Sequence, residues 1–419
     1  MIGEPRRAAV LAIGDELLGG RAVDTNSGEI AARLLELGFE TTRAVVVGDD
    51  AAAIEQAIVE LCATHPLVVA TGGLGPTLDD VTRDAAAAAA RVPLARSDET
   101  LEGLRAMYRR RGKEMPSSNE RQAMFPSGAQ LMPNPRGTAA GFRLWVEGSV
   151  LAVLPGPPHE MREMLERELL PWLAARCGAG ECFESRVYGL AGIAESAFAD
   201  RAGDWMERTA NPLMGVTAHC GVLRVSLRAR GATREAARAR LEQREAELRE
   251  RFAAETFSVG EPRLAHAVGA RLLERGITLA TAESCTGGLV AAMLTEVPGI
   301  SRVYLEGWVC YSDRAKEQRL GVPREAIERH GAVSAEVASA MAAGAARESG
   351  ARVALSITGI AGPSGGTPEK PVGLVWFGLS IDGAPRAFEE RFPPHGRESV
   401  RLFAAHRALD LLRRNLPPA

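Results

Sequence analysis

Three glycine-rich stretches, residues 71–77, 284–288 and 358–366, each follow a short apolar run. Such a loop presents backbone N–H groups at the edge of a sheet. A helix starting beyond it adds partial positive charge, and the two together suit a phosphate. One loop of this kind is weak evidence, because glycine also serves tight turns. Three in the same context argue for phosphate-bearing ligands, with Gly72, Gly73, Gly75 and Thr77, then Thr286, Gly287 and Gly288, then Gly359, Gly362 and Gly365 as the contact positions. The first loop runs into Asp79 and Asp80. One of these acids serves well as a helix N-cap. Both also fit a carboxylate that holds a divalent cation over a pyrophosphate, since hard oxygen ligands are what Mg²⁺ takes. Asp15, Glu16 and Asp49 end other apolar runs and belong at the same sheet edge. No histidine–cysteine cluster has zinc spacing.

The second loop opens on Ser284. A hydroxyl between a strand and a glycine-rich helix start is placed to attack a carbonyl, and equally placed to cap the helix. A serine nucleophile needs a base, and no histidine stands in a partner motif. Lysine is scarce in this chain: of 50 basic residues, only Lys113, Lys316 and Lys370 are lysines. Where arginine fills the generic positions, a remaining lysine is a candidate for chemistry that guanidinium cannot do, such as giving up its proton. Lys316 is that candidate base; its bland reading is a surface helix residue. Tyr311, five residues earlier, could orient the proton. Cys285 is the rival nucleophile or a small buried thiol. Arg397 could grip a phosphate with two parallel hydrogen bonds.

These residues need elements to carry them. Residues 7–13, 44–47, 67–70 and 150–154 read as buried strands. Helical spacing separates them: Ile30, Leu34 and Leu37, then Ile54, Ile58 and Leu61. Strands alternating with helices imply a mostly parallel sheet covered on both faces. Residues 181–258 change texture, with a strand, a helix, a strand pair and a long helix of mixed charge over 233–252. From about residue 260 the alternation resumes. The sequence therefore predicts an α/β protein: two three-layer domains, residues 1–178 and 259–419, joined by a small α+β module over 179–258.

Composition narrows the function classes. The 419 residues are 46% hydrophobic and 25% charged, which excludes a disordered chain. A net charge of −3 argues against a broad nucleic-acid surface. No apolar run is long enough to span a bilayer, and the first one is cut short by Asp15 and Glu16, unlike a signal peptide. Cysteines 62, 177, 182, 220, 285 and 310 form no CxxC pair, so reduced thiols and a cytoplasmic location are expected.

Longer motifs resemble a known family. GDELLGG…DTN at 14–26, TGGLGPTLDDVT at 71–82, NPRGTAAGF at 134–142 and LPGPPHEM at 154–161 look like the N-terminal domain of the CinA proteins, which is similar to the molybdopterin-binding fold. TAESCTGG at 281–288, YSDRAK at 311–316, HGAVSAEVASAMA at 330–342 and TGIAGPSGGTPEKPVG at 358–373 resemble nicotinamide mononucleotide deamidase. The middle segment resembles the KH-like module of these proteins.

The resemblance implies two activities. The C-terminal domain would convert nicotinamide mononucleotide to nicotinic acid mononucleotide and ammonia through a Ser284–Lys316 pair, with Tyr311 and Arg397 at matching positions. Between Tyr311 and Lys316 this chain has SDRA where the family commonly has SNEA. The N-terminal domain would be an ADP-ribose pyrophosphatase giving AMP and ribose 5-phosphate. It would use Mg²⁺, Mn²⁺ or Co²⁺ held by Asp49 and Asp80, with Asp79, Asp15 and Glu16 nearby. A homodimer is a further implication. The alternatives are a molybdopterin-binding N-terminal domain and a non-catalytic partner in competence or DNA repair. The middle GxxG, Gly189 to Gly192, follows a strand and lacks a basic stripe, which argues against a nucleic-acid role.

Overall fold

A computed structural model describes residues 6–176, 181–260 and 262–418. The expected boundary at 178/179 lies outside the described residues, as does Cys177. The chain divides into two compact units: residues 1–184 with 230–239, and residues 185–229 with 240–419.

The first unit is built on a six-stranded sheet. Its centre is parallel: Glu40–Val47, Arg7–Ile13, Leu67–Thr71 and Ser149–Leu154 in spatial order, followed by antiparallel Gly141–Val146 and Gln130–Met132. All five residues of Leu67–Thr71 are buried, as expected where helices cover both faces. One face packs on Ala51–Cys62 through Ile54, Ile58 and Leu61. The other packs on Asn26–Glu36 and Pro158–Met164 through Ile30, Leu34 and Met161. The stretch 44–47, expected as a buried strand, is the end of an edge strand, and Ala44 and Val46 are exposed. Having a neighbour on one side only, it is half covered. Helix Asp98–Arg110 and strand Gly141–Val146 have no counterpart in the sequence reading.

The second unit contains two sheets. Leu213–His219, Val222–Gly231, Cys182–Ala191 and Thr256–Val259 form a four-stranded one. Gly189 lies inside its third strand, where an added Cβ would stand 2.4 Å from the Phe257 ring. That glycine makes room for packing. The first helix of this segment is short, Glu195–Ala202, followed by a 3₁₀ turn.

The larger sheet has the order Tyr304–Val309, Leu279–Glu283, Val353–Gly359, Leu374–Ile381 and Ala384–Arg391. The first three strands are parallel, the last two antiparallel. Helices Leu264–Arg275, Leu289–Thr295 and Arg397–Asn415 cover one face, and Asp313–Leu320 and Ala335–Ser349 the other. A Cβ on Gly378 would come within 2.1 Å of the Ala338 carbonyl oxygen. The glycine is therefore what lets Ala335–Ser349 lie close to the sheet, where the Ser356 hydroxyl donates to that same carbonyl at 2.6 Å. Among the described residues no helix is long and apolar enough to cross a membrane, and the described cysteines are free thiols.

Candidate active sites

In both units the candidate residues gather where parallel strands end and the chain turns out over the sheet edge, the usual place for ligands in such folds. In the first unit, Thr71 closes the central strand. Its hydroxyl donates to the Pro155 carbonyl at 2.8 Å and accepts from Asn26 Nδ2 at 3.0 Å, which fastens the 72–77 loop beside the 155–158 turn. Gly72 takes a φ of +114°, and a Cβ there would meet the Ile13 carbonyl oxygen at 2.2 Å, so only glycine fits.

The Asp80 carboxylate reaches back into this loop. It accepts from Gly75 N–H at 2.7 Å, from Thr77 N–H at 2.8 Å and from the Thr77 hydroxyl. The sequence reading offered the Gly75 and Thr77 amides to a phosphate. They are already occupied by the chain's own acid, and Thr77 does not line the pocket that results.

That pocket encloses about 380 Å³. Gly72, Gly73 and Gly75 form one wall; Glu16, Asp49, Asp79, Asp80 and Glu160 supply carboxylates. Asp15 was expected among them but lines no part of it. Its Oδ1 accepts from Asp49 N–H at 3.1 Å while its own N–H donates to Asp49 Oδ2 at 2.9 Å, a reciprocal tie between two loops. Glu16 faces the pocket instead. Burial, together with the charges of Asp15, Glu16 and Asp79, raises the Asp49 pKa, although the Asp15 N–H pulls the other way. Glu160 was missed by the sequence reading. It is positioned by Asn134 Nδ2 at 2.6 Å, a contact between two of the long motifs.

These acids bring carboxylate oxygens, the donor type a divalent cation takes, to one pocket. The donors are hard oxygens, and the crowding at Asp49 is of the kind a cation relieves. Among the described residues no three His, Cys, Asp or Glu side chains converge into a ready-made cage.

In the second unit, Ser284 follows Leu279–Glu283 directly. Its N–H donates to the Ile357 carbonyl at 2.9 Å, so the serine is tied to the neighbouring parallel strand. Glu283 is 1% exposed and turns its carboxylate under the loop. There it accepts from the N–H groups of Gly288 at 3.0 Å, Val290 at 3.2 Å and Ala291 at 2.8 Å. The start of helix Leu289–Thr295 is thus capped from within, and Gly288 has no free N–H for a phosphate. Gly287 donates to the Ser284 carbonyl at 3.1 Å and closes the turn.

Ser284, Cys285, Tyr311, Asp313, Lys316 and Arg397 line one cavity of about 210 Å³, together with Thr358 and Gly359. Thr286, Gly287, Gly288, Gly362 and Gly365, expected as contacts, lie outside its lining. Gly362 contributes indirectly: its carbonyl accepts from Arg397 Nη1 at 2.9 Å. The second Arg397 nitrogen donates to the Tyr311 hydroxyl, which keeps its own hydrogen to donate.

Lys316 is 2% exposed, the exception among three lysines to a surface reading. Its amine is 3.7 Å from the Asp313 carboxylate, the acid that stands in the altered part of the YSDRAK motif. No hydrogen bond joins the Ser284 hydroxyl to the Lys316 amine among the described residues. Lys370 has a different task. Its ammonium donates to the carbonyls of His330 and, at 2.7 Å, Val333, and so holds the turn whose residues Ala332 and Val333 wall the cavity. Burial pushes the Cys285 thiol up to about 12, which disfavours the thiolate that a cysteine nucleophile needs.

Comparison with known proteins places all of this in context. Residues 9–175 match the family described as "Probable molybdopterin binding domain", residues 185–258 the "Damage-inducible protein CinA KH domain", and residues 261–416 the "CinA C-terminal domain". A CinA-like protein of Citrifermentans bemidjiense is 44% identical over 411 residues, covering 98% of this chain and 97% of that one. A CinA-like protein of Geobacter metallireducens is 43% identical over 414 residues, with 98% and 99% covered. Among solved structures, a competence/damage inducible protein of Agrobacterium tumefaciens is 43% identical, covers 36% of this chain and 92% of its own, and has a TM-score of 0.35.

Proposed function

The chain belongs to the CinA family, and from that premise we propose that it is a bifunctional hydrolase of nucleotides in pyridine-nucleotide turnover. The observation that carries the reading is the shared cavity: a buried lysine amine, a serine at the end of a central strand and an arginine line one small pocket. Nicotinamide mononucleotide matches those three features: the serine attacks its amide carbonyl, the lysine passes a proton to its departing amide nitrogen and the arginine holds its phosphate.

In this mechanism Lys316, as the free amine, takes the Ser284 hydroxyl proton as Oγ bonds to the amide carbon. The tetrahedral intermediate collapses, the C–N bond breaks and Lys316 returns the proton to the departing nitrogen, releasing ammonia. Water, deprotonated by the same amine, then adds to the acyl ester; the C–Oγ bond breaks, Lys316 returns the proton to the Ser284 oxygen, and nicotinic acid mononucleotide is released. Arg397, braced by Gly362 and Tyr311, holds the phosphate. The test is ammonia release from nicotinamide mononucleotide by the wild type and by Ser284→Ala, which abolishes it. A Ser284→Ala protein with undiminished turnover would refute the proposal.

For the first unit the acid-lined pocket favours hydrolysis of the phosphoanhydride of ADP-ribose. Asp49 and Asp80, with Asp79 beside them, would hold a divalent cation, Mg²⁺, Mn²⁺ or Co²⁺. Such an ion neutralises phosphate charge and makes a bound water more acidic. Glu16 and Glu160 add carboxylates beside the reacting phosphates. The matching family description favours a second reading, binding of a molybdopterin. AMP formed from ADP-ribose, and lost on chelation, supports the first; pterin binding without AMP release supports the second.

A further inference from the structure

A larger cavity lies in the second unit, away from the Ser284 pocket. It encloses about 380 Å³ where the strands Leu213–His219 and Val222–Gly231 face the helices Leu264–Arg275, Leu289–Thr295 and Arg397–Asn415. Its floor is apolar: Val222, Leu264, Ala265, Met293 and Leu409. Its polar groups are Arg224, Arg263, Glu296 and three imidazoles, those of His219, His266 and His406. An apolar floor with a few convergent polar groups is the usual make-up of a small-molecule site.

The polar groups define what would fit. His406 Nδ1 lies 2.9 Å from the Cys220 carbonyl. A carbonyl only accepts, so Nδ1 carries the hydrogen and the neutral ring keeps a lone pair on Nε2. Burial, aided by His219, lowers the His406 pKa and favours that neutral ring; the Cys220 bond opposes the shift. The His219 ring stands edge-on to it, with centroids 6.4 Å apart. Arg224 is exposed and makes no ion pair among the described residues, which leaves its guanidinium available to an anion. Among the described residues no three ligating side chains converge as a metal site, so the imidazoles are not a metal cage.

We propose that this cavity binds a small organic anion with a flat apolar body and a hydroxyl or amine at the far end. The acid group pairs with Arg224, the body lies on Leu264, Met293 and Leu409, and the far group donates to His406. None of these residues belongs to either candidate active site, so the inference stands apart from the proposed function.

The test is calorimetric titration of the full chain with 4-hydroxybenzoate, which has all three features. The neutral twin 4-hydroxybenzamide and two variants, Arg224→Gln and Met293→Trp, are titrated alongside. Saturable one-site binding is expected. It weakens at least tenfold for the neutral twin and for Arg224→Gln, and it is lost in Met293→Trp, whose indole fills the cavity. No saturable binding of the acid overturns the proposal. So does equal binding of acid and amide, and so does full binding by Met293→Trp, which would place the probe elsewhere. Arg224 is exposed and Met293 only half-buried, so both variants fold, as an unchanged melting temperature would show.

Discussion

The two glycine loops at the candidate sites are braced in opposite directions. In the first unit the acid follows the loop: Asp80 reaches back to Gly75 and Thr77. In the second it precedes the loop: Glu283 reaches forward to Gly288, Val290 and Ala291. Both acids occupy amides that a glycine-rich sequence offers to phosphate. The difference lies in where the acid then stands. Asp80 lines its pocket, so one side chain is both brace and site group. Glu283 is 1% exposed and lines no part of its cavity, so its work is structural and the chemistry falls to its neighbour Ser284. A glycine-rich loop after a strand therefore signals a sheet-edge site without signalling that its amides are free.

The largest effect expected is at Ser284 and Lys316. Ser284→Ala and Lys316→Arg should each lower ammonia release by about 10⁴-fold or more, by analogy with the loss of a hydrolase nucleophile or its base. Guanidinium stays protonated, so an active Lys316→Arg would remove lysine as the base. Next, Asp49→Asn should cut AMP formation from ADP-ribose by roughly 10²-fold or more, the scale of a lost electrostatic contact at a reacting centre. It should leave amidase activity within about twofold, a comparison that sharpens the separation of the two sites.

The braces themselves come third. Glu283→Ala leaves three amides unpartnered and should destabilise its unit by about 3 kcal/mol in chemical denaturation. Asp80→Ala, in a half-exposed loop, should cost about 1 kcal/mol, near the value of a lost cap. Asp80→Ala should nonetheless lose most pyrophosphatase activity. A reversed order of stability losses would break the comparison. Fourth, Cys285→Ala should keep amidase activity within about threefold, since a thiol at about 12 contributes no thiolate at pH 7. Iodoacetamide should leave Cys285 unmodified in the native protein, as peptide mapping would show.

The smallest effect concerns His406. Its pKa is lowered below the ordinary 6.5 in the fold, so the unfolded chain binds the proton first as pH falls. Stability is therefore present above about pH 7 and is lost as pH falls through 6.5 toward the folded value. His406→Asn should flatten that part of the melting-temperature profile between pH 7.5 and 5.5.

Periodicity made the α/β core legible, because Ile54, Ile58 and Leu61, or Leu264, Val268 and Leu272, can only mark one covered face. It failed at Gly141–Val146, which emerges from a glycine- and proline-rich stretch. It also passed over Asp98–Arg110, where only Leu101 and Leu104 are buried among charged residues. Scarcity marked Lys316 and loop position marked Ser284, each weighed evenly against a surface residue or a helix cap, while Arg397 had little to set it apart in an arginine-rich chain. The braces were not legible, since a carboxylate's partners across a turn depend on the path of the loop. Asp15 and Glu16 show the same limit: both follow a strand, and only the turn of a short helix, Asp15–Leu18, decides which faces the pocket.

The three lysines sit in three unlike settings: Lys113 in the open, Lys316 buried in the wall of a cavity and Lys370 bound to two carbonyls. Carbon-13 labelling of this residue type alone would thus yield a spectrum of three well-spread signals. Whether the amine at 316 sheds its charge when a nucleotide arrives could be watched directly, atom by atom, in the intact polypeptide.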